Sequence, residues 1–190
     1  SSRHCPPSGI RLDLAEVGEC PEVAVSLLGR LGVGAVYCVG GMTNVDACET
    51  DPGLAMRVNC WGPATLAAAA AAIEIGFVYF STEYVFDGTD GPYDEESHTC
   101  PISVYGESKL RGEIEVAHAH PEALVIRTTV VYGHDPGEKN FVYSLRRALL
   151  AGRPILVPND QFSTPTYNQD LALGAVKLLK SGASGVIHVA

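Results

Sequence analysis

Short runs of hydrophobic residues alternate along this chain with longer stretches in which hydrophobic positions recur at helical spacing. The short runs lack polar alternation, which is typical of strands buried on both faces of a parallel sheet. The predicted strands cover residues 10–14, 35–39, 77–81, 124–128, 155–157 and 186–189. The predicted helices cover residues 21–31, 52–75, 104–118, 141–151 and 169–180. This alternation predicts a doubly wound α/β fold with a parallel sheet, the Rossmann-like class.

No repeat, low-complexity linker or charge run divides the chain, so we predict a single domain over residues 1–190. A dinucleotide-binding fold begins with a strand, a glycine-rich turn and a helix whose N-terminus holds the pyrophosphate. The clustered glycines Gly29, Gly32 and Gly34 follow a predicted helix and precede a strand, so they predict a helix cap and turn instead. We therefore expect that a strand-helix-strand unit of about 30 residues is missing before Ile10, which leaves an exposed sheet edge.

Composition and charge narrow the class of partner. The net charge of -9 argues against nucleic acid and anionic membrane surfaces, because binding to phosphates relies on basic residues. No stretch reads as a membrane span or a signal peptide, and we expect a cytoplasmic protein. The cysteines are scattered without Cys-x-x-Cys spacing, and we interpret them as buried free thiols rather than disulfides or zinc ligands. They are Cys5, Cys20, Cys38, Cys48, Cys60 and Cys100.

A tyrosine and a lysine four residues apart, Tyr105 and Lys109, lie in the third predicted helix. Residues at this spacing share one helical face, so both side chains can reach the same cleft. An ammonium near a phenol favours the phenolate, which predicts a tyrosine pKa lowered toward neutrality and suited to acid catalysis. The spacing alone also fits a solvated helix face.

Eight segments, in order along the chain, resemble the extended short-chain dehydrogenase/reductase superfamily and, within it, the dTDP-4-dehydrorhamnose reductase-like branch. That branch also includes the regulatory β subunit of methionine adenosyltransferase. The segments are Met42-Thr-Asn-Val-Asp46, Val58-Asn59, Phe80-Ser-Thr-Glu-Tyr-Val-Phe-Asp-Gly88, Pro92-Tyr-Asp-Glu95, Val104-Tyr-Gly-Glu-Ser-Lys-Leu-Arg-Gly-Glu113, Ile126-Arg-Thr-Thr-Val-Val-Tyr-Gly133, Lys139-Asn-Phe141 and Asp160-Gln-Phe-Ser-Thr-Pro-Thr166. The resemblance implies an NAD(P)-binding fold, with elements of the substrate lobe around residues 134–167 and most of that lobe absent.

The resemblance implies catalytic roles for four residues. Thr82 would polarise a substrate carbonyl, Tyr105 would supply the proton, and Lys109 would bind the nicotinamide ribose. Asn59 would stabilise the active-site region. On local physics alone, Ser81 and Thr82 could simply end a strand.

The resemblance also implies residues that contact cofactor and substrate. On the cofactor side it implies Asp13, Gly40, Gly41 and Thr128, besides Tyr105 and Lys109. On the substrate side it implies Asn140, Phe141, Gln161 and Glu83, besides Thr82. Asn140 could instead cap the helix that follows it, and Glu83 replaces the aspartate usual in these reductases. Thr128 could be an ordinary strand residue.

No metal site is expected, because the nearby His98, His118 and His120 have no spaced carboxylate partners and read as surface residues. The leading hypothesis is an NADPH- or NADH-dependent reductase of a keto-deoxysugar nucleotide or similar ketone. The alternatives are a non-catalytic regulatory or scaffold subunit and an NAD-dependent sugar-nucleotide epimerase or dehydratase. NAD and NADP are not distinguished, because the discriminating residue would lie in the missing unit. A homodimer or larger assembly stays open.

Overall fold

The computed structural model describes residues 9–18, 21–134, 136–137, 140–157 and 159–190. Its main sheet has four parallel strands in the order β1-β2-β3-β6. These strands are β1 Ala35–Cys38, β2 Gly76–Thr82, β3 Leu124–Thr128 and β6 Gly185–His188. Two further strands of two residues each, β4 Val131–Tyr132 and β5 Thr166–Tyr167, pair with each other.

Helices cover both faces of the sheet, as the continuous hydrophobic strands predict. The helices are α1 Leu14–Val17, α2 Pro21–Leu31, α3 Val45–Thr50, α4 Pro52–Met56, α5 Gly62–Ala72, α6 Val104–Ala119, α7 Phe141–Leu150 and α8 Asn168–Lys180. Phe77 and Tyr79 of β2 pack with α2, α5 and α6, whereas Val78 between them packs with α8. Adjacent residues of β2 thus enter two separate cores, which confirms the doubly wound α/β fold.

The predicted helix over 52–75 is interrupted. A π-helical turn over Arg57–Trp61 separates α4 from α5. Asp51 caps the start of α4 by accepting a hydrogen bond from the Leu54 backbone N–H at 2.9 Å. Asn59, one of the predicted site residues, lies in this turn, and π-helical turns are often found at functional sites.

Two predicted strands are wrong. Residues 10–13 form no regular secondary structure, and Asp13 begins α1 by accepting from the Ala15 N–H at 3.0 Å. An aspartate followed by good helix formers favours this cap over a strand. Residues 155–157 form no strand either, and Leu156 is fully exposed. The hydrophobic pattern alone does not indicate whether a neighbouring strand is available to pair with residues 155–157.

Strand β1 lies at one edge of the described sheet and pairs only with β2, as the predicted exposed edge requires. No helix among the described residues has the length and apolar character needed to cross a membrane.

Cys38, Cys48 and Cys60 are buried free thiols as predicted. Cys100 is free but exposed, so the prediction of burial is wrong there, because Cys100 lies in the loop before α6. Cys5, Cys20 and the motif residue Lys139 lie outside the described residues.

Candidate active site

A cleft of about 570 Å³ lies at the carboxyl ends of β1, β2 and β3. Open α/β sheets bind their ligands at this edge, because loops there can diverge and leave a crevice. Seven residues predicted for the site line the cleft: Gly40, Gly41, Thr82, Glu83, Tyr105, Lys109 and Thr128. Residues distant in sequence are therefore brought to one place.

Tyr105 lies in the first turn of α6, where Ser103 caps the helix by accepting from the Gly106 N–H at 3.1 Å. Gly106 allows this helical turn to approach the 3-10 turn after β2, since a Cβ there would lie 2.2 Å from the Tyr84 carbonyl oxygen. The Tyr105 ring meets that of Tyr84 edge to face, with centroids 5.4 Å apart. Burial raises the pKa of Tyr105 to about 12, although the influence of the Thr82 hydroxyl opposes the rise.

Lys109 lies one turn further along the same buried face of α6. Its Nζ donates to the Phe80 carbonyl oxygen at 2.6 Å and lies 4.0 Å from the centre of the Tyr79 ring. Burial lowers the pKa of Lys109 to about 8, against the opposing influence of Cys38 and Glu113. The expected lysine-driven decrease of the tyrosine pKa is wrong for this geometry, because burial dominates at Tyr105 and the ammonium is directed at a carbonyl.

Asn59 is completely buried and joins two walls of the cleft. Its side-chain amide accepts from the Met42 N–H at 2.8 Å and donates to the Met42 carbonyl at 3.0 Å. It also donates to Ser108 Oγ at 3.0 Å, and Ser108 in turn donates to the Tyr105 carbonyl at 2.8 Å. Asn59 therefore ties the segment after β1 to the turn of α6 that carries Tyr105, which is a stabilising role.

Thr82 and Glu83 form the end of β2 and the start of the next turn. Thr82 Oγ1 donates to Glu83 Oε2 at 3.1 Å and accepts from the Tyr84 N–H at 3.3 Å. Burial raises the pKa of the Glu83 carboxyl, while hydrogen bonds from its own backbone and from Thr82 limit the rise. Thr82 caps a 3-10 turn, as the local alternative predicted, and it also lines the cleft, so its catalytic role stays a prediction.

A buried ion pair beneath the cleft was not foreseen from the sequence. Arg127 of β3 binds Glu113 of α6 through two nitrogens, with Nη2 2.7 Å from Oε2 and Nε 3.0 Å from Oε1. The Ser81 hydroxyl donates to the same carboxylate. Glu113 follows Lys109 by four residues, so the Tyr105, Lys109, Glu113 spacing on one helical face was the available signal.

Gly40, Gly41 and Thr128 surround the part of the cleft expected to hold a cofactor. A Cβ on Gly40 would lie 2.9 Å from Leu14 Cδ1, and one on Gly41 would lie 3.3 Å from Asn59 Oδ1. Contacts with Leu14 and Asn59 are therefore sufficient to explain why glycines occupy positions 40 and 41. Thr128 Oγ1 is buried, has no hydrogen-bond partner among the described residues and borders the cleft. An unpaired buried hydroxyl is costly unless a ligand satisfies it, so these residues fit a polar cofactor.

Residues 17–190 match the model of the RmlD substrate binding domain family. The chain belongs to this family. A dTDP-4-dehydrorhamnose reductase of Mycobacterium tuberculosis is 41% identical over 154 residues, covering 78% of this chain and 50% of that protein. A probable low-salt glycan biosynthesis reductase of Haloferax volcanii is 39% identical over 173 residues, covering 89% of this chain and 58% of that protein.

Solved structures of the family have the same fold. A dTDP-4-dehydrorhamnose reductase from Bacillus anthracis in complex with NADP is 30% identical, with a TM-score of 0.86, and the match covers 94% of this chain and 62% of that one. A dTDP-4-dehydrorhamnose reductase from Clostridium acetobutylicum is 32% identical with the same TM-score, and the match covers 94% of this chain and 61% of that one. The RmlD-type chain spans between about half and three-fifths of the length of the relatives named here.

The remaining predicted contacts of this RmlD-type domain lie outside the cleft lining. Asn140 caps α7 by accepting from the Tyr143 N–H at 3.3 Å, as the local alternative predicted. Phe141 and Gln161 are exposed, and Asp13 caps α1. Their cofactor and substrate roles stay predictions. Sequence reasoning missed other cleft residues, among them Val39, Thr43 and Asn168, because only the fold brings them there.

The histidine prediction is wrong at one position. His98 and His118 are exposed, whereas His120 is buried and its Nε2 lies 2.9 Å from the Ile75 carbonyl oxygen. The end of α6 turns inward at His120, which helical spacing alone does not indicate. Within the described ranges, no group of three or more histidine, cysteine or acidic residues could hold a metal ion.

Proposed function

We propose that this chain carries the proton-donating part of the site of an NADPH- or NADH-dependent reductase acting on the ketone of a keto-deoxysugar nucleotide. The observation that carries the proposal is the placement of Tyr105, Thr82 and Lys109 in one cleft at the carboxyl edge of the sheet. Membership of the RmlD family and the reductase names of the relatives support it.

Each residue has a defined task in the proposed reaction. Tyr105 is protonated at neutral pH, because burial keeps its pKa high, so it can donate its proton to the oxygen of a ketone undergoing reduction. The Thr82 hydroxyl supports that oxygen as it gains negative charge. A bound nicotinamide would supply the hydride. Lys109, Thr128 and the backbone of Gly40 and Gly41 would hold its ribose and ring.

Replacing the phenol tests the proposal directly. We expect Tyr105→Phe to lower the turnover of dTDP-4-dehydrorhamnose, followed as NADPH oxidation, by roughly 100-fold or more, the scale of general acid catalysis. NADPH affinity, measured by calorimetry, should change little. The matched control is Tyr37→Phe, which removes a phenol from the exposed edge strand outside the cleft. Undiminished turnover by Tyr105→Phe would refute the assignment.

Product analysis distinguishes the alternatives. A reductase consumes one NADPH for each ketone reduced, whereas an epimerase or dehydratase shows no net consumption of cofactor. A regulatory or scaffold subunit would show neither reaction, and its stability would not depend on NADPH.

A further inference from the structure

Tyr79 of β2 contacts two of the predicted site residues, although it is not part of the cleft lining. The side chain is fully buried. Its hydroxyl donates to the Asn59 carbonyl oxygen at 2.5 Å, and Lys109 Nζ lies over its ring, 4.0 Å from the centre. Burial raises the pKa of the Tyr79 phenol well above its usual range, so the ring stays uncharged at neutral pH.

The Tyr79 hydroxyl replaces a donor that the helix does not supply. In an α-helix the Asn59 carbonyl would accept from the N–H four residues later, but that residue is Pro63, which has no N–H. Gly112 gives α6 room beside this contact, since a Cβ there would lie 2.3 Å from both the Asn59 carbonyl oxygen and the Tyr79 hydroxyl. Tyr79 thus anchors the π-helical turn that presents the Asn59 side chain.

The Tyr79 ring meets the charged end of Lys109. A buried ammonium is costly unless neighbouring groups compensate its charge. The Phe80 carbonyl accepts one of its three hydrogens, at 2.6 Å. The face of an aromatic ring carries partial negative charge and attracts a cation within about 6 Å, most strongly where water is excluded. The ring therefore stabilises the charged form of Lys109 and fixes where its ammonium lies.

Two titratable groups on other parts of the fold also act on the Lys109 ammonium. Burial raises the pKa of Cys38 on β1 to about 11, against the opposing influence of Lys109, so this thiol is neutral at pH 7. Glu113 on α6 is bound by Arg127, which offsets its negative charge. The Tyr79 ring is the group in direct contact with the ammonium on the side of β2 away from the cleft lining.

We propose that Tyr79 is a positioning residue of the candidate site, an inference that rests on the proposed function. Its ring holds the Lys109 ammonium charged and in place, and its hydroxyl holds the turn that carries Asn59. In the proposed reaction a charged Lys109 binds the cofactor. Tyr79 acts on that reaction through Lys109 and contacts neither the cofactor nor the ketone.

Ring fluorination tests the contact with the ammonium, because each fluorine weakens the negative face of the ring with little change in its shape. Tyr79→Phe is the reference, and phenylalanines carrying one, two and three ring fluorines then replace it at position 79. The titration of Lys109 is followed by NMR on protein labelled at lysine Cε, and Lys109→Met identifies its signal. The titration midpoint should fall stepwise, by about one pH unit in total.

The matched control is the same fluorinated series at Phe77, a fully buried ring two residues earlier on β2 with no cation over it among the described residues. That series should leave the midpoint of Lys109 unchanged. A midpoint that does not move with fluorination at position 79, or that moves equally in the control, would overturn the inference. If Tyr79→Phe does not fold, tyrosine with one ring fluorine keeps the hydroxyl and should still lower the midpoint.

Hydrogen exchange tests the contact with Asn59. The Met42 N–H donates to Asn59 Oδ1, so its exchange with solvent should become roughly tenfold faster in Tyr79→Phe, in which the Asn59 carbonyl loses its donor. The Ile126 N–H in the fully buried strand β3 is the internal control. Equal acceleration at both positions, or none at Met42, would refute the anchoring role of the hydroxyl.

NADPH binding separates this inference from the proposed function. Because the pKa of Lys109 is about 8, a midpoint lowered by one pH unit reduces its charged fraction roughly fivefold at pH 8 and very little at pH 6. NADPH affinity, measured by calorimetry, should follow that fraction in the variant with three fluorines. A lowered midpoint without weaker binding at pH 8 would support the positioning by Tyr79 and refute the proposed role of Lys109. An unmoved midpoint would refute the positioning, whatever the protein reduces.

Discussion

The buried pair Glu113 and Arg127 allows a stability prediction that the structure specifies closely. Both side chains are at least 93% buried, and they are joined by contacts of 2.7, 3.0 and 3.2 Å. Arg127→Met removes the cation but leaves a buried carboxylate whose remaining partner is the Ser81 hydroxyl. Breaking such a pair costs about 3–5 kcal/mol in the free energy of unfolding, because the remaining charge is desolvated without compensation.

The assay is urea denaturation followed by circular dichroism, with thermal unfolding as a second measurement. For a chain of this size, a loss of 3–5 kcal/mol corresponds to a Tm lowered by roughly 6–20 °C. The double variant Glu113→Leu with Arg127→Met should recover most of the loss, since two apolar residues leave no buried charge. A loss below about 1 kcal/mol in Arg127→Met, or additive losses in the double variant, would refute the reasoning.

Two other substitutions test packing and charge. Gly112→Ala should destabilise the fold by about 1–3 kcal/mol in urea, because its Cβ would lie 2.3 Å from both the Asn59 carbonyl oxygen and the Tyr79 hydroxyl. Gly29→Ala, with open space around its Cβ, is the matched control and should not be destabilised. Lys109→Met should be more stable than the unsubstituted protein near pH 7, because the folded state lowers the lysine pKa to about 8 and so disfavours the charged form. In the unfolded state the lysine stays protonated up to a higher pH than in the folded state. The stability advantage of Lys109→Met should therefore shrink by up to roughly 3 kcal/mol as pH rises from 8 to 10.5. A difference in stability that stays constant with pH would contradict the burial argument.

The sequence predicted most of the fold because its strongest signals are local and repeated. The strand over 124–128 was predicted with its observed bounds, since a run of buried β-branched and aliphatic residues has no competing helical period. The cap at Asn140 was also foreseen as an alternative. The failures at 10–14 and 155–157 have one cause. A short hydrophobic run becomes a strand only if another strand pairs with it, and that partner is set by the whole fold.

At the candidate site, the sequence determined which groups share a helical face, because the spacing of Tyr105, Lys109 and Glu113 follows from helix geometry alone. Only the tertiary structure decided what those groups contact. Lys109 is directed to a backbone carbonyl, and Glu113 finds its cation on a strand. Periodicity is a property of neighbouring residues, whereas desolvation and charge pairing depend on which distant segments pack together. For that reason the positions of the candidate site groups could be predicted from the chain, but their pKa values and their hydrogen-bond partners could not.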